Sequence, residues 1–169
     1  SKNIFFETTA YKGFVSDVLN RSTSTGGYNE LIDIKQEGLE NNFSFKNKNQ
    51  KISFYNTFSK SREGNGRPQL RRPEIQYGVN YKKKFNLEIL GPFNLNYDYR
   101  HVGQVEDWKN GTVRSKVDSS DIMNISLSKD ISGSIWSLNV LNLTDENYQR
   151  PDTYNQEGRR FELSFSNKY

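Results

Sequence analysis

Arg71 and Arg72 stand side by side ahead of Pro73 in "LRRPEIQYGVNY". A planar guanidinium fork matches a carboxylate or a phosphate through two parallel hydrogen bonds, so this pair could hold an anionic group of a ligand. The plainer reading is a strand start whose arginines are satisfied by nearby carbonyl oxygens. Asp107 and Trp108 lie in the long segment "HVGQVEDWKNGTVRSKV", and Tyr154 follows Pro151 in "DENYQRPDTYNQEG". Ligand-contacting side chains concentrate in such segments, which makes Asp107, Trp108 and Tyr154 binding candidates. Against that stand an exposed loop tip for the first two and, for Tyr154, a ring packed on its own loop.

Other chemistry is excluded more firmly. The 169 residues include no cysteine and a single histidine, His101. That removes disulfides and thiolate metal sites, and argues against a Ser-His-Asp triad. Glu106, Asp107, Asp118 and Asp121 are hard oxygen ligands, but their spacing fits no calcium loop, so no metal and no cofactor are expected. The "GNG" at 64–66 reads as a turn, because a phosphate cradle needs further glycines and a following helix. No paired carboxylates and no nucleophile with a base are visible, so catalysis is not expected.

The elements that must position these residues are strands. Only 33% of residues are hydrophobic, yet 14% are aromatic, with 10 Tyr and 11 Phe; disordered chains share the first property and lack the second. In "FNLNYDYR", Phe93, Leu95, Tyr97 and Tyr99 oppose Asn94, Asn96, Asp98 and Arg100. The same period of two runs through "PEIQYGVNY", "IMNISLS", "SIWSLNVLNL" and "FELSFSNKY", and less regularly through "IFFETTAYKGFVSDVL", "YNELIDIKQEGLENNFSFK" and "KISFYNTFSK", where Tyr55 falls on the polar side. The first of these three is expected to bend near Gly13. About eight antiparallel strands result, with no linker and no internal repeat.

The connections alternate in length. Those at 21–27, 60–72, 101–117 and 145–158 are long and rich in turn formers; between them fall "KNKNQ", "KDISG" and the ends of "KKKFNLEILGP", read as two strand ends meeting at a turn. No run approaches the ~18 apolar residues of a membrane helix, which says nothing of a β-barrel, whose strands need only ~9–11 alternating residues. The net charge is +4 and scattered, apart from Lys82, Lys83 and Lys84, which read as a solvated turn.

Alternation alone suits both a soluble sandwich and a membrane barrel. Aromatics near strand ends, such as Tyr81, Tyr97, Tyr99, Trp136 and Tyr169, favour the barrel, as does a polar face of small Ser, Asn, Thr and Gln side chains. Aromatics on nearly every strand argue against a nucleic-acid stacking platform, which would gather them on two or three.

The ending "NLTDENYQRPDTYNQEGRRFELSFSNKY" resembles the last hairpin of TonB-dependent outer-membrane receptors. Asn142, Leu143, Asp145 and Tyr148 match an Asn-Leu-Phe-Asp-x-x-Tyr stretch, with Thr144 in place of the Phe. Gly158 and Arg159 match a Gly-Arg pair, and Tyr169 matches a terminal aromatic. "LRRPEIQYGVNY", "NLNYDYRHVGQVED" and "QEGLENNFSF" are similar to further segments of that family, in family order, and the smaller cobalamin-type receptors fit best.

The resemblance implies an all-β, antiparallel transmembrane β-barrel segment of about eight strands, with long extracellular loops and mostly short periplasmic turns. Residues 1–169 would form one unit, the C-terminal part of a receptor in the bacterial outer membrane, without its plug domain. The implied ligand is cobalamin or a siderophore-type metal chelate. Implied partners are outer-membrane lipid, the plug and TonB through the missing N-terminal part, and the barrel assembly machinery, which reads the C-terminal strand. Beginning at Ser1, without methionine or an apolar signal segment, the sequence suits a processed chain or an excised piece. Two alternatives stay open: a self-contained eight-stranded barrel, recognisable by pairing of its first and last strands, and a soluble β-sandwich binding module.

Overall fold

The computed structural model describes residues 3–21, 28–109 and 113–167, with backbone alone at 20–21 and 28–30. Ten strands and no helix occur among them: β1 (Asn3–Arg21), β2 (Tyr28–Lys46), β3 (Gln50–Glu63), β4 (Ile75–Leu87), β5 (Gly91–Val102), β6 (Val105–Lys109), β7 (Val113–Val117), β8 (Ser120–Ile131), β9 (Ser134–Leu141) and β10 (Arg160–Asn167). Eight form one antiparallel sheet in the order β1-β2-β3-β4-β5-β8-β9-β10, and β6 and β7 form a separate hairpin. That hairpin occupies the segment 101–117, which the sequence reading treats as a plain loop. The turn at 88–90 does join two long strand ends, as "KKKFNLEILGP" suggests.

The sheet is a single open layer. β1 pairs only with β2 and β10 only with β9, so the first and last strands do not meet. Its accessible surface is 11605 Å², whereas a compact protein of 19.7 kDa would show roughly 8,600 Å². A sandwich would close that gap by stacking a second layer on the apolar side, and none occurs among the described residues.

Register fixes which side chains share a face. Ile4, Phe45, Ile52, Tyr81, Tyr97, Ile125, Val140 and Phe161 form one cross-strand row, and Phe6, Phe43, Phe54, Val79, Tyr99 and Met123 the next. These rows are the apolar face. Much of it is open: Ile4 is 72% exposed, Phe6 66%, Phe161 69% and Leu163 72%. Thr8 and Asn41 interrupt it, with the Thr8 hydroxyl donating to the Asn41 side-chain oxygen at 2.6 Å.

The opposite face carries Ser44, Ser53, Thr57, Asn80, Asn96, Asp98, Asn124 and Ser126, with two tyrosines among them. Tyr55 lies over its cross-strand partner Gly78, where an added Cβ would come within 2.6 Å of the ring, and Tyr11 covers Gly38 in the same way. Covering a strand glycine with a cross-strand aromatic ring restores the contact that the missing side chain forfeits. Tyr55 thus belongs on the polar side for a packing reason.

The irregularity of β1 falls beyond the expected bend. Register shifts between Val15 and Val18, and Asp17 has φ 56°, a β-bulge, while Gly13 stays in regular pairing.

Candidate functional site: the long-loop end

The buried residues gather at the long-loop end. Ile34, Val105, Val117 and Ile122 are the buried apolar side chains, and Ser61, Glu63, Asp107, Ser120 and Asn142 the buried polar ones. The β6–β7 hairpin folds over the ends of the main strands and supplies three of the nine.

Asp107 is the hub of this cap and is fully buried. One oxygen accepts Arg71 Nε at 2.8 Å and the Trp108 N–H at 2.8 Å; the other accepts the Asp152 N–H at 3.0 Å. Burial alone would raise its pKa, but these donors from Asp152, Arg71 and Trp108 outweigh it and hold the carboxyl below the ordinary aspartate value. Arg71 is further fixed by its backbone N–H, which donates to the Glu106 carbonyl at 2.8 Å. A second ion cluster sits beside the first. Arg114 pairs with Glu63 and with Glu106 (3.4 Å), donates to the Pro68 carbonyl at 2.9 Å, and lies 5.4 Å above the Trp108 ring. Ser115 donates to the Asp152 carboxylate, tying the hairpin to the last loop.

Arg150 anchors that last loop from below. Its Nη2 donates to the carbonyls of Val102, Gly103 and Asp118 at 3.1–3.3 Å, and no carboxylate pairs with it among the described residues. Burial, helped by the charge of Arg100, pulls the guanidinium below its ordinary value. Its Nη1 is buried and has no partner among the described residues, and the same holds for Trp108 Nε1. Arg150, Arg71 and Asp107 border a cavity of about 250 Å³, with Val102, Val105 and Val117 as its apolar wall. Arg71 is already paired with Asp107, so the cation left beside the valines is Arg150, which can face a ligand with an anionic group on an apolar body.

The binding candidates therefore separate. Arg71 and Asp107 meet at this cavity, Asp107 as a buried strut. Trp108 packs under Arg114 and is no loop tip. Arg72 is exposed and has no side-chain partner among the described residues, and Tyr154 stands in the last loop at 65% exposure. The four carboxylates weighed for calcium do not converge. Glu106 faces Arg114, Asp107 faces Arg71, Asp118 lies 3.5 Å from Gln104 Nε2, and Asp121 accepts from Tyr99 and lies 2.8 Å from His101 Nδ1.

The ending motif is a clamp at the base of the last loop. Asn142, with φ 50°, accepts the Glu146 N–H at 2.8 Å and donates to the carbonyls of Glu146 and Glu157. Leu143 N–H donates to the Met123 carbonyl at 2.7 Å, and Asp145 accepts the Arg159 N–H at 2.7 Å. A Cβ at Gly158 would come 2.9 Å from the Asp145 oxygen and push it off the Arg159 N–H. The Tyr148 carbonyl accepts the Gln156 N–H across the loop. Tyr169 lies outside the described residues.

Glu63, Arg114, Arg150 and Asp152 escape the sequence reading, because nothing periodic links them. One signal was available: Asn110-Gly111 between "VEDWK" and "TVRSKV" is a hairpin turn dipeptide flanked by alternating residues.

No family model and no curated protein matches the chain by sequence. Solved structures do match it in three dimensions. The ferripyoverdine receptor of the outer membrane of Pseudomonas aeruginosa superposes with a TM-score of 0.76 at 14% identity, over 96% of this chain and 24% of the receptor. FpvAI in its complex with pyocin S2 gives 0.77 at 15%, over 96% and 25%. The FrpB iron transporter from Neisseria meningitidis gives 0.72 at 11%, over 96% and 28%. The fold is that of TonB-dependent outer-membrane receptor barrels. The chain spans about a quarter of the length of these receptors. The matched structures are barrels, whereas the sheet of this chain is open at β1 and β10.

Proposed function

We propose that the chain is the C-terminal part of the barrel of a TonB-dependent receptor in the bacterial outer membrane, a receptor that imports a metal chelate, either a siderophore type or cobalamin. The observation that carries this reading is the pairing of an open eight-stranded sheet with an unshielded apolar face. A sheet whose first and last strands stay apart does not suit a self-contained small barrel, and a face of exposed Phe, Ile and Leu does not suit a soluble sandwich. Within hydrocarbon every backbone polar group needs a partner strand, so the edges of β1 and β10 call for the remaining strands of a larger barrel.

On this reading the short turns at 47–49, 88–90 and 132–133 face the periplasm and the cap faces outward. At 19 residues each, β1 and β2 are about twice the ~9–11 residues a crossing needs, so their upper halves stand clear of the bilayer. This accounts for the outward face of β1–β3 becoming mostly polar beyond Ala10, Leu39 and Phe58, at Lys12, Glu37 and Lys60 and then Lys35 and Arg62, with Phe14 the exception. The cavity at Arg71 and Arg150 receives an anionic part of the chelate, with Arg72 and Tyr154 at its approaches. Transport needs a plug and contact with TonB, both supplied from outside this chain. The outward apolar residues of β10, with Tyr169 after them, form the strand read by the assembly machinery. The role is binding and transport, without catalysis.

The test is made on cells producing the receptor that carries this chain. The protein is expected in the outer-membrane fraction and to need detergent for release, with uptake of one labelled chelate, ferric or cobalamin, lost on Arg71→Ala and Arg150→Ala double substitution. Recovery of the protein in the soluble fraction would sink the reading.

A further inference from the structure

We infer that the outward side of β1–β3 carries a site for a lipid with a phosphorylated headgroup, at the level where the apolar face of the sheet ends. Register places Lys12, Glu37 and Lys60 in one cross-strand row on that side, and Phe14, Lys35 and Arg62 in the next row toward the long loops. All six border one hollow of about 630 Å³. Glu37 is flanked by Lys12 and Lys60, and Arg62 pairs with Glu74. Four cations against these two carboxylates leave an excess of positive charge.

The row on the other side of Lys12, Glu37 and Lys60 is apolar. Leu39, Phe58 and Ile75, 38–47% exposed, are opposed across β2, β3 and β4. They line a second hollow, of about 380 Å³, which shares Glu37 and Lys60 with the first. A cationic hollow thus adjoins an apolar one. A ligand that fills both has an anionic head on an apolar body.

The height of the two hollows selects a lipid as that ligand. Lys60 stands nine residues beyond Lys51, which marks the short-turn end of β3. At ~3.4 Å per residue and a strand tilt of about 40°, the rise is about 23 Å, against an apolar band about 25 Å tall in a membrane barrel. The cations therefore sit at the upper headgroup level, with Leu39 and Phe58 just inside the acyl region. There a phosphate offers strong acceptor oxygens to the lysines and to the fork of Arg62. A soluble anion would leave Leu39, Phe58 and Ile75 unused. On the barrel reading, further strands extend the sheet sideways from β1 and β10, and a plug lies on the inner side. Neither covers the outward side of β2 and β3, so Lys35, Lys60 and Arg62 face the membrane surface in the whole receptor as well.

This inference rests on the barrel reading. In the experiment, the receptor that carries this chain is purified in detergent, stripped of lipid and offered dipalmitoyl phosphatidic acid. Retained lipid is counted by native mass spectrometry. The parent is expected to hold the probe at a saturable site and to prefer it to phosphatidylcholine, whose choline offsets the phosphate charge. Lys35→Gln with Lys60→Gln should weaken binding about tenfold, since two lysines near the phosphate are lost. Lys51→Gln with Lys82→Gln, at the short-turn end, should leave it unchanged. Equal binding by the parent and the first variant would overturn the inference, as would equal loss in both variants. So would displacement by equimolar inorganic phosphate, or equal affinity for dihexanoyl phosphatidic acid, since neither depends on the apolar hollow. In lipid-free detergent the first variant should melt with the parent; earlier melting would make the two lysines structural and overturn it too. A receptor released without detergent would fail the barrel reading instead, a separate result.

Discussion

On β9 and β10, Leu138, Leu163 and Phe161 are 52–72% exposed with no layer behind them, while at the long-loop end Asp107 and Ser120 are closed off almost completely. The two regions reverse the usual arrangement of a folded protein. Apolar side chains lie on the open surface of the sheet, and the best-buried side chains are charged or polar. In the sheet, backbone pairing holds the strands and the surrounding solvent decides which face is apolar. In the cap, the chain packs on itself, and the carboxylates of Asp107 and Glu63 hold hairpin and loops through Arg71 and Arg114. The first region depends on its environment, the second on specific partners.

The largest effect is expected where a buried pair is broken. Glu63→Ala leaves the guanidinium of Arg114, 15% exposed, with only Glu106 and the Pro68 carbonyl, and loss of one partner of a buried ion pair costs about 3 kcal/mol. The comparison says this loss stays in the cap. Limited proteolysis should cut sooner within 64–74 and 142–159, while the strands keep their protection. Uniform loss of protection along the chain would show that cap and sheet are one cooperative unit.

A charge on the outward face should act in the opposite sense. Leu138→Arg places a cation among Leu127 and Leu163, at a cost of about 2–4 kcal/mol in a barrel near the bilayer midplane. The urea midpoint of the membrane-inserted receptor should fall while the cap's cleavage rate, measured in mild conditions, is unchanged. A null result in lipid would remove the assignment of this face to hydrocarbon.

The polar face of the sheet offers a third, smaller test. Gly78→Ala puts a Cβ 2.6 Å from both the Tyr55 ring and the Tyr99 carbonyl, and overpacking of this kind costs about 1–3 kcal/mol. Gly13→Ala, with nothing within 4 Å of its Cβ, should leave the urea midpoint where it is. Equal effects at both glycines would mean that the tyrosine ring does not sit on Gly78.

The same contrast explains what could be read in advance. Alternation suffices to place Leu138 opposite Ser137, because a side chain on an open face of the sheet needs no particular partner. The strands of the main sheet and the side of Tyr55 follow from that, and the β6–β7 hairpin does not. Arg71 and Asp107 are 36 residues apart and Arg114 and Glu63 are 51 apart, and no local pattern announces either pair. Asp107 and Trp108 read as exposed loop residues, and the hairpin that buries them has one local cue in the sequence, the dipeptide Asn110-Gly111. The bulge at Asp17 escaped for a related reason: it is set by pairing with Ile32 and Ile34, while Gly13 was the only local cue.

The smallest expected effect is also the one that isolates the cap most cleanly. The carboxyl of Asp107 is held below its ordinary value by the N–H groups of Asp152 and Trp108 and by Arg71. A group with a depressed folded-state pKa contributes stability that is complete above its unfolded value, near ~3.9, and is lost as pH falls through the folded value. Cleavage of the 142–159 loop by an acid-active protease should therefore be steady above about pH 5 and accelerate below about pH 4. Asp107→Asn keeps an acceptor for Arg71 and removes the titration. Its loop should be cut faster than the parent's at neutral pH and show a flatter acid limb. If the variant kept the parent's full acid acceleration, the pH dependence would belong to other carboxylates, and Asp107 would be a strut whose charge does not matter.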